Sequence, residues 1–374
     1  MRIGFDISPI APGRTGIGQF CYYLLKGLMD LESGDEFFGF SSGRSRPDLS
    51  DLRPHVSGYH MPVPTRVLYR VWSAVGRPRV DRWLGGVDVY HATNFFLPPT
   101  ASAPRVLSLY DLSFLVRPAL CSPKIVGPFS RGVPRFAQAA DAIAACSEAT
   151  KRDIVERLGI APDKVTVTYG AVADGFGPLD PEQVRGAVTA RYGLEAPFLL
   201  FVGTLEPRKN VVGLLKAFAA VSHRIPHTLA LVGPSGWGTG PIMKALRPLE
   251  AQGRVVRIGY LRGHEELAWL YAAARAFVFP SFYEGFGLPV LEALTCGCPV
   301  VTSKVSSLPE VAGDAAVYVD PEDVDSIADG ILRIAEDDGL RQSLSERGLV
   351  QARQFSWRRC AETTMGIYRR VARC

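Results

Sequence analysis

The chain has no apolar run approaching the roughly 18 residues that a membrane-spanning helix needs, and its opening MRIGFDISPI reads as a strand rather than a signal peptide. A cytoplasmic location is therefore expected. It also has no C-x-x-C pair and no zinc-type spacing, because its seven cysteines stand scattered at 21, 121, 146, 296, 298, 360 and 374. Such a set argues against a disulfide framework and reads as reduced, mostly buried thiols. Low-complexity tracts and short repeats are missing too. Neither sign of charge dominates, with 42 Lys and Arg against 37 Asp and Glu, and no reader motif for nucleic acid occurs, so nucleic acid is not an expected partner.

What is present is ordinary for a globular protein: 47% apolar and 21% charged residues. A length of 374 residues suits two domains, each with a full core. Strand patterns recur at 2–7, 37–42, 87–91, 105–110, 141–146 and 165–169, then at 198–203, 228–233, 254–259, 276–280, 299–302 and 315–319. Continuous apolar strands such as FLLFVG and TLALVG, separated by amphipathic helices, imply parallel sheets covered on both faces. The Gly-, Pro- and Asp-rich stretch 170–183 reads as the linker. The expected fold is α/β, with two Rossmann-like domains whose ligands lie at the carboxyl ends of the strands, in the cleft between them.

The most informative stretch is E-G-F-G-L-P-V-L-E, which places Glu284 and Glu292 on either side of a glycine turn. The run AFVFPSF (276–282) reads as a buried strand before it, and Leu288 to Leu294 as a helix with proline in its first turn. A helix start offers unpaired backbone N–H groups and partial positive charge, so a turn containing Gly285 and Gly287 can cradle phosphate oxygens. Two carboxylates beside an anion seat suit the hydroxyls of a sugar. The pattern points to a sugar nucleotide. Upstream, FVGTLEPRKNVVGLL (201–215) ends a strand in Arg208 and Lys209, two cations that suit a diphosphate better than a salt bridge.

Three elements in the first half point the same way. Pro12-Gly13-Arg14-Thr15-Gly16-Ile17-Gly18 stands between a strand and a helix, the layout of a phosphate-contacting turn. Its glycines run G-x-x-G-x-G, and Asp35 and Glu36 precede the second strand, which argues against a dinucleotide oxidoreductase. His91, at a strand end, is expected to face the cleft, with Tyr110-Asp111-Leu112 two strand-lengths further on. Residues 60–140 carry ten Lys or Arg against three Asp. Within them, 66–85 mixes arginines with Leu68, Tyr69, Val71, Trp72, Trp83 and Leu84, as a helix on an anionic membrane surface or a solvated face over a core would.

FVGTLEPRKN, SFYEGFGLPVLEAL and CGCPVVTSKVSSLPEVAGDAAVYVDPED together resemble the retaining nucleotide-sugar glycosyltransferases of family 4, which have the GT-B fold, and particularly bacterial mannosyltransferases of cell-surface glycan synthesis. The likeness spans the chain and is densest from 198 to 325. It implies an acceptor domain at 1–180, a donor domain at 181–354, and a last helix in 355–374 that crosses back onto the first domain. It implies that Arg208 and Lys209 hold the donor diphosphate, aided by Gly203, and that Glu292 holds the ribose. Glu284, Gly285, Phe286, Gly287 and Leu288 would meet the transferred sugar and its phosphate, while Gly16 and Gly18 close over the diphosphate. Many relatives have a histidine at Tyr110, within a His-Asp-Leu motif. Tyrosine cannot serve as an imidazole, which leaves His91 or Asp111 to compensate.

The implied activity is retaining transfer of a hexose, with mannose from GDP-mannose as the best guess, to a glycan or lipid-linked acceptor. Stabilisation of the leaving diphosphate would be the largest catalytic contribution, with no cofactor and no metal. Asp323-Val324-Asp325 has a manganese-type spacing, but Asp320-Pro321-Glu322-Asp323 reads as a helix cap. The alternatives are a UDP-sugar donor with a soluble acceptor, a sugar-nucleotide epimerase, or an inactive scaffold. The basic, aromatic segment at 66–85 favours a protein peripheral on the inner face of the cytoplasmic membrane.

Overall fold

A computed structural model describes residues 1–10, 16–52, 56–195, 197–261 and 263–372. The chain divides into two compact units. The first comprises Met1–Leu115, Pro123–Gly170 and Ser356–Cys374, and the second Val116–Ser122 and Ala171–Phe355.

In the first unit seven strands form one parallel sheet: β1 (Arg2–Asp6), β2 (Glu36–Ser42), β3 (Val56–Met61), β4 (Val89–Ala92), β5 (Arg105–Leu109), β6 (Ala142–Ala145) and β7 (Val165–Val167). Their order is β3-β2-β1-β4-β5-β6-β7. The second unit holds six parallel strands, β8 (Phe198–Val202), β9 (Thr228–Val232), β10 (Val255–Ile258), β11 (Ala276–Phe279), β12 (Val300–Ser303) and β13 (Ala316–Val319). These run β10-β9-β8-β11-β12-β13. Both sheets therefore share one plan, in which the strand order reverses beside the first strand, between β1 and β4 and between β8 and β11. Chain segments leaving those strands diverge to opposite faces and open a crevice at the carboxyl edge. Arg208 and Lys209 follow β8 and Glu284 follows β11, so the fold carries them to the two sides of one reversal.

Burial explains the strands. Phe198 to Phe201 and Ala276 to Phe279 are each at most 1% exposed, as expected where helices cover both faces of a parallel sheet. Helix Val211–Val221 packs on helix Val324–Glu336, and Leu288–Thr295 on Asp338–Ala352. In the first unit helix Gly16–Met29 packs on Trp357–Val371, where the Trp357 ring stacks on Tyr23 at 5.5 Å and meets Phe20 edge-on at 5.3 Å.

Two features differ from the sequence reading. Strand β3, VSGYHM, went unmarked because it is an edge strand with three exposed residues in succession and no apolar alternation. Strand β11 stops at Phe279 instead of running on to Phe282, since Pro280 has no N–H to extend the ladder. Close backbone approach fixes one glycine beside the crevice. A Cβ on Gly233, whose φ is +137°, would collide with the Gly203 carbonyl, so the loops leaving β8 and β9 pass each other only because Gly233 carries no side chain.

Candidate functional site

After β8 the chain makes a single 3-10 turn, Pro207–Lys209, and then passes through Asn210 at φ 54°, in the left-handed region that asparagine tolerates. The Asn210 side-chain oxygen accepts the Gly213 N–H at 3.2 Å and so caps helix Val211–Val221, while its amide donates to the Pro321 carbonyl at 2.7 Å. This sharp exit turns two cations toward the loop that follows β11. Arg208 Nη1 donates to the Tyr283 carbonyl at 2.8 Å and to Glu284 Oε2 at 3.0 Å, and its Nη2 donates to Glu206 Oε1 at 2.9 Å. Lys209 Nζ reaches both oxygens of Glu284, at 2.7 and 2.9 Å, and lies 5.0 Å over the Phe279 ring. The two cations are thus not a bare anion seat. In this structure their first partners are carboxylates, because buried charge of one sign must be compensated.

Glu284 is buried. Burial alone would raise its pKa, but Arg208 and Lys209 overcome that and hold the carboxyl at about 2. The backbone is held as firmly. The Glu284 N–H donates to Ser306 Oγ at 2.9 Å, and the Ser307 hydroxyl donates to the carbonyls of Glu284 (3.0 Å) and Phe286 (2.8 Å). Ser306 itself sits at φ 50°. These contacts shape the turn so that Gly287, at φ 104°, can precede helix Leu288–Thr295, with Pro289 in its first turn.

Glu284 and Glu292 make their hydrogen bonds to different partners. Glu292 lies one turn into the helix and accepts the Tyr271 hydroxyl at 3.0 Å. Glu292 is half-buried, and the desolvation of its carboxyl within the packed helix pushes it up to about 7 against that hydrogen bond. One carboxylate is locked as an anion, and the other titrates near neutrality.

In the first unit the structure corrects His91. A strand residue under a covering layer points into that layer, and the layer here is helix Trp357–Val371. His91 is fully buried, with Nδ1 2.6 Å from the Tyr368 hydroxyl and Nε2 2.8 Å from Ser108 Oγ. Both ring nitrogens are engaged, and burial lowers its pKa to about 3. It is a neutral structural residue. Asp111 Oδ1 accepts the Ser113 N–H at 2.9 Å and its hydroxyl at 2.7 Å, opening the short helix Ser113–Val116. The Tyr110 hydroxyl donates to the Thr93 carbonyl at 2.8 Å, with Cys21 Sγ at 3.3 Å. Gly16 begins helix Gly16–Met29, and Gly18 is buried within it. Pro12, Gly13, Arg14 and Thr15, expected to complete that turn, lie outside the described residues.

Asp323 accepts the Asp325 N–H at 2.9 Å and caps helix Val324–Glu336, while Asp320 accepts the Glu322 N–H at 2.9 Å. The capping residue is therefore Asp323, three residues later than Asp320. In the basic segment, helix Thr65–Val75 buries Leu68 and Trp72 but leaves Val67, Val71 and Val75 exposed at 47%, 40% and 66%. Arg66, Arg70 and Arg77 are exposed beside them.

Two family descriptions match the chain: Glycosyl transferases group 1 over residues 191–350 and Glycosyltransferase Family 4 over residues 14–174. The chain belongs to these glycosyltransferases. It is 34% identical to O-antigen chain mannosyltransferase B of Escherichia coli, covering 99% of this chain and 100% of that one. It is 32% identical to a D-inositol 3-phosphate glycosyltransferase of Saccharomonospora viridis, covering 97% and 91%. Sucrose-phosphate synthase from Thermosynechococcus elongatus matches its fold with a TM-score of 0.78 at 20% identity, covering 99% and 98%. The two parallel sheets are those of the GT-B fold.

For this glycosyltransferase, sequence reasoning missed Glu206, Tyr271, Ser306 and Ser307. Ser306 and Ser307 follow β12, the strand beside β11, so their place at a carboxyl edge was a usable signal. Tyr271 lies inside helix His264–Ala273, where nothing local marks it.

The titration of Glu292 has a testable sign. Its folded pKa, about 7, exceeds the ordinary 4.5, so the folded state holds this proton more tightly than the unfolded state does. Stability is then lost as pH rises from 4.5 to 7, and the loss is complete above 7. The Glu292→Gln variant should melt a few degrees above the wild type at pH 8 and level with it at pH 4, measured by thermal denaturation. Parallel pH profiles for the two proteins would contradict the burial argument.

Proposed function

We propose that the protein is a retaining hexosyltransferase that moves mannose from GDP-mannose to a growing cell-surface glycan on a lipid-linked carrier. The observation that carries this reading is the cluster of Arg208, Lys209 and Glu284 at the carboxyl edge, where β8 and β11 flank the reversal of strand order. Likeness to the O-antigen mannosyltransferase supports the choice of sugar. Likeness to D-inositol 3-phosphate glycosyltransferases favours the alternative of a soluble acceptor.

In this reading the donor diphosphate lies against Arg208, Lys209 and the start of helix Leu288–Thr295, and Glu292 accepts hydrogen bonds from the ribose. Glu284 orients the transferred sugar while its own charge stays fixed by the two cations. The bond between the anomeric carbon and the phosphate oxygen breaks, and both electrons leave with the nucleoside diphosphate. The acceptor hydroxyl attacks from the same face and passes its proton to the departing phosphate oxygen, so configuration is retained and no glutamate serves as a covalent nucleophile. The cations and helix start stabilise the leaving charge. Activity in this scheme requires no metal and survives chelation.

Among the described residues no helix is long and apolar enough to cross a membrane. The exposed Val67, Val71 and Val75 beside Arg66, Arg70 and Arg77 support peripheral docking on an anionic leaflet, where a lipid-linked acceptor would lie.

The catalytic reading is tested by acceptor-dependent GDP release from GDP-mannose with EDTA present. Lys209→Met, which keeps volume beside Phe279, should retain a cooperative unfolding transition and reduce turnover by roughly a hundredfold or more. A folded variant with wild-type turnover would remove Lys209 from the mechanism. Docking is tested by cosedimentation with phosphatidylglycerol and phosphatidylcholine vesicles. The triple change of Arg66, Arg70 and Arg77 to Glu should weaken binding to the anionic vesicles by about tenfold or more, and equal binding would leave the segment as a solvated face.

A further inference from the structure

The cluster at the carboxyl edge carries a second carboxylate that the proposed chemistry leaves without a task. Arg208 presents two faces: Nη1 is fixed to the Tyr283 carbonyl and Glu284, and Nη2 holds Glu206 at 2.9 Å. With Lys209 and Glu284 this makes two cations and two carboxylates, a set with no net charge. A diphosphate approaching a neutral set gains little from the cations unless one carboxylate gives way.

The two carboxylates are not equally replaceable. Glu284 has a side chain 7% exposed, is paired with both cations, and belongs to a turn whose backbone is bonded to Ser306 and Ser307. Among the described residues Glu206 forms one ion pair, to Arg208 through one oxygen, and its charge also acts on Lys209; it is more exposed at 16% and makes no side-chain cap to the turn it precedes. Moving Glu206 breaks a single ion pair at the edge of the cluster, whereas moving Glu284 takes from the buried Lys209 its ion-pair partner and from Arg208 one of two.

We propose that Glu206 is an exchangeable counter-ion, occupying the Nη2 face of Arg208 until the donor diphosphate replaces it and returning when the nucleoside diphosphate leaves. This rests on the assignment of the donor seat above and adds to it a residue that sets nucleotide affinity and product release. The displaced carboxylate gives the site two states. It is near neutral with Glu206 paired, and it presents a net positive charge with Glu206 turned away, so the cation is compensated in both.

The inference has an unusual sign: removing a charged partner of a binding arginine should tighten binding. If Glu206 only positioned Arg208, its loss would weaken binding instead. Calorimetric titration of wild type and Glu206→Gln with GDP, UDP and ADP separates these outcomes, with Glu206→Ala as a second variant and a thermal unfolding transition confirming that each is folded. The expected result is about tenfold tighter binding of the nucleotide that the wild type takes, with KM for the donor and kcat both reduced as product release slows. Equal or weaker binding by the two folded variants overturns the counter-ion role while leaving the donor seat in place. Failure of the wild type to bind any of the three nucleotides overturns both.

Discussion

The buried carboxylate of Glu284 and the two cations that compensate it are the interaction on which the site depends. A carboxylate this deeply placed would ordinarily be protonated or excluded. Here Lys209 meets both its oxygens and Arg208 meets one, so it stays an anion at every pH of interest. The same contacts join the loop after β8 to the loop after β11. These ion pairs span the reversal of the sheet, and a change that removes Glu284 leaves the buried Lys209 without its ion-pair partner, a cost of about 3–5 kcal/mol.

Everything around that cluster serves to hold it. Left-handed Asn210 redirects the chain into a helix within one residue, so two consecutive cations leave the strand end facing the same loop. Ser306 and Ser307 reach across from the end of β12 and fix the Glu284 turn by its backbone. Gly233 lets neighbouring strand ends pass in near contact. The sheet supplies position, the glycine supplies proximity, and the ion pairs supply a defined charge. Glu292, held by Tyr271 rather than by a cation, keeps a proton affinity near neutrality and can adjust to hydroxyl groups.

The fold was legible because parallel sheets write themselves as uninterrupted apolar runs. FLLFVG and TLALVG could hardly be anything but buried strands, whereas VSGYHM, lying at an edge, has no such constraint and escaped notice. Within the site, Arg208, Lys209, Glu284 and Glu292 were visible as charges next to strand ends. Their mutual arrangement was not, since nothing local distinguishes a cation awaiting an anion from one already paired, and Glu206, two residues before Arg208, carries no local mark of its pairing. His91 misled for a related reason. A histidine near a strand end looks available until the covering helix is known, and Tyr368, which takes Nδ1, lies 277 residues away in sequence.

The central claim is that Arg208 and Lys209 form the diphosphate seat of this glycosyltransferase. The most direct measurement is a crystal structure with GDP-mannose bound. The account predicts diphosphate oxygens within hydrogen-bonding distance of both cations, with the ribose against Glu292 and the Glu284 turn unmoved. A diphosphate seated elsewhere, with Arg208 and Lys209 still paired only to Glu206 and Glu284, would contradict it.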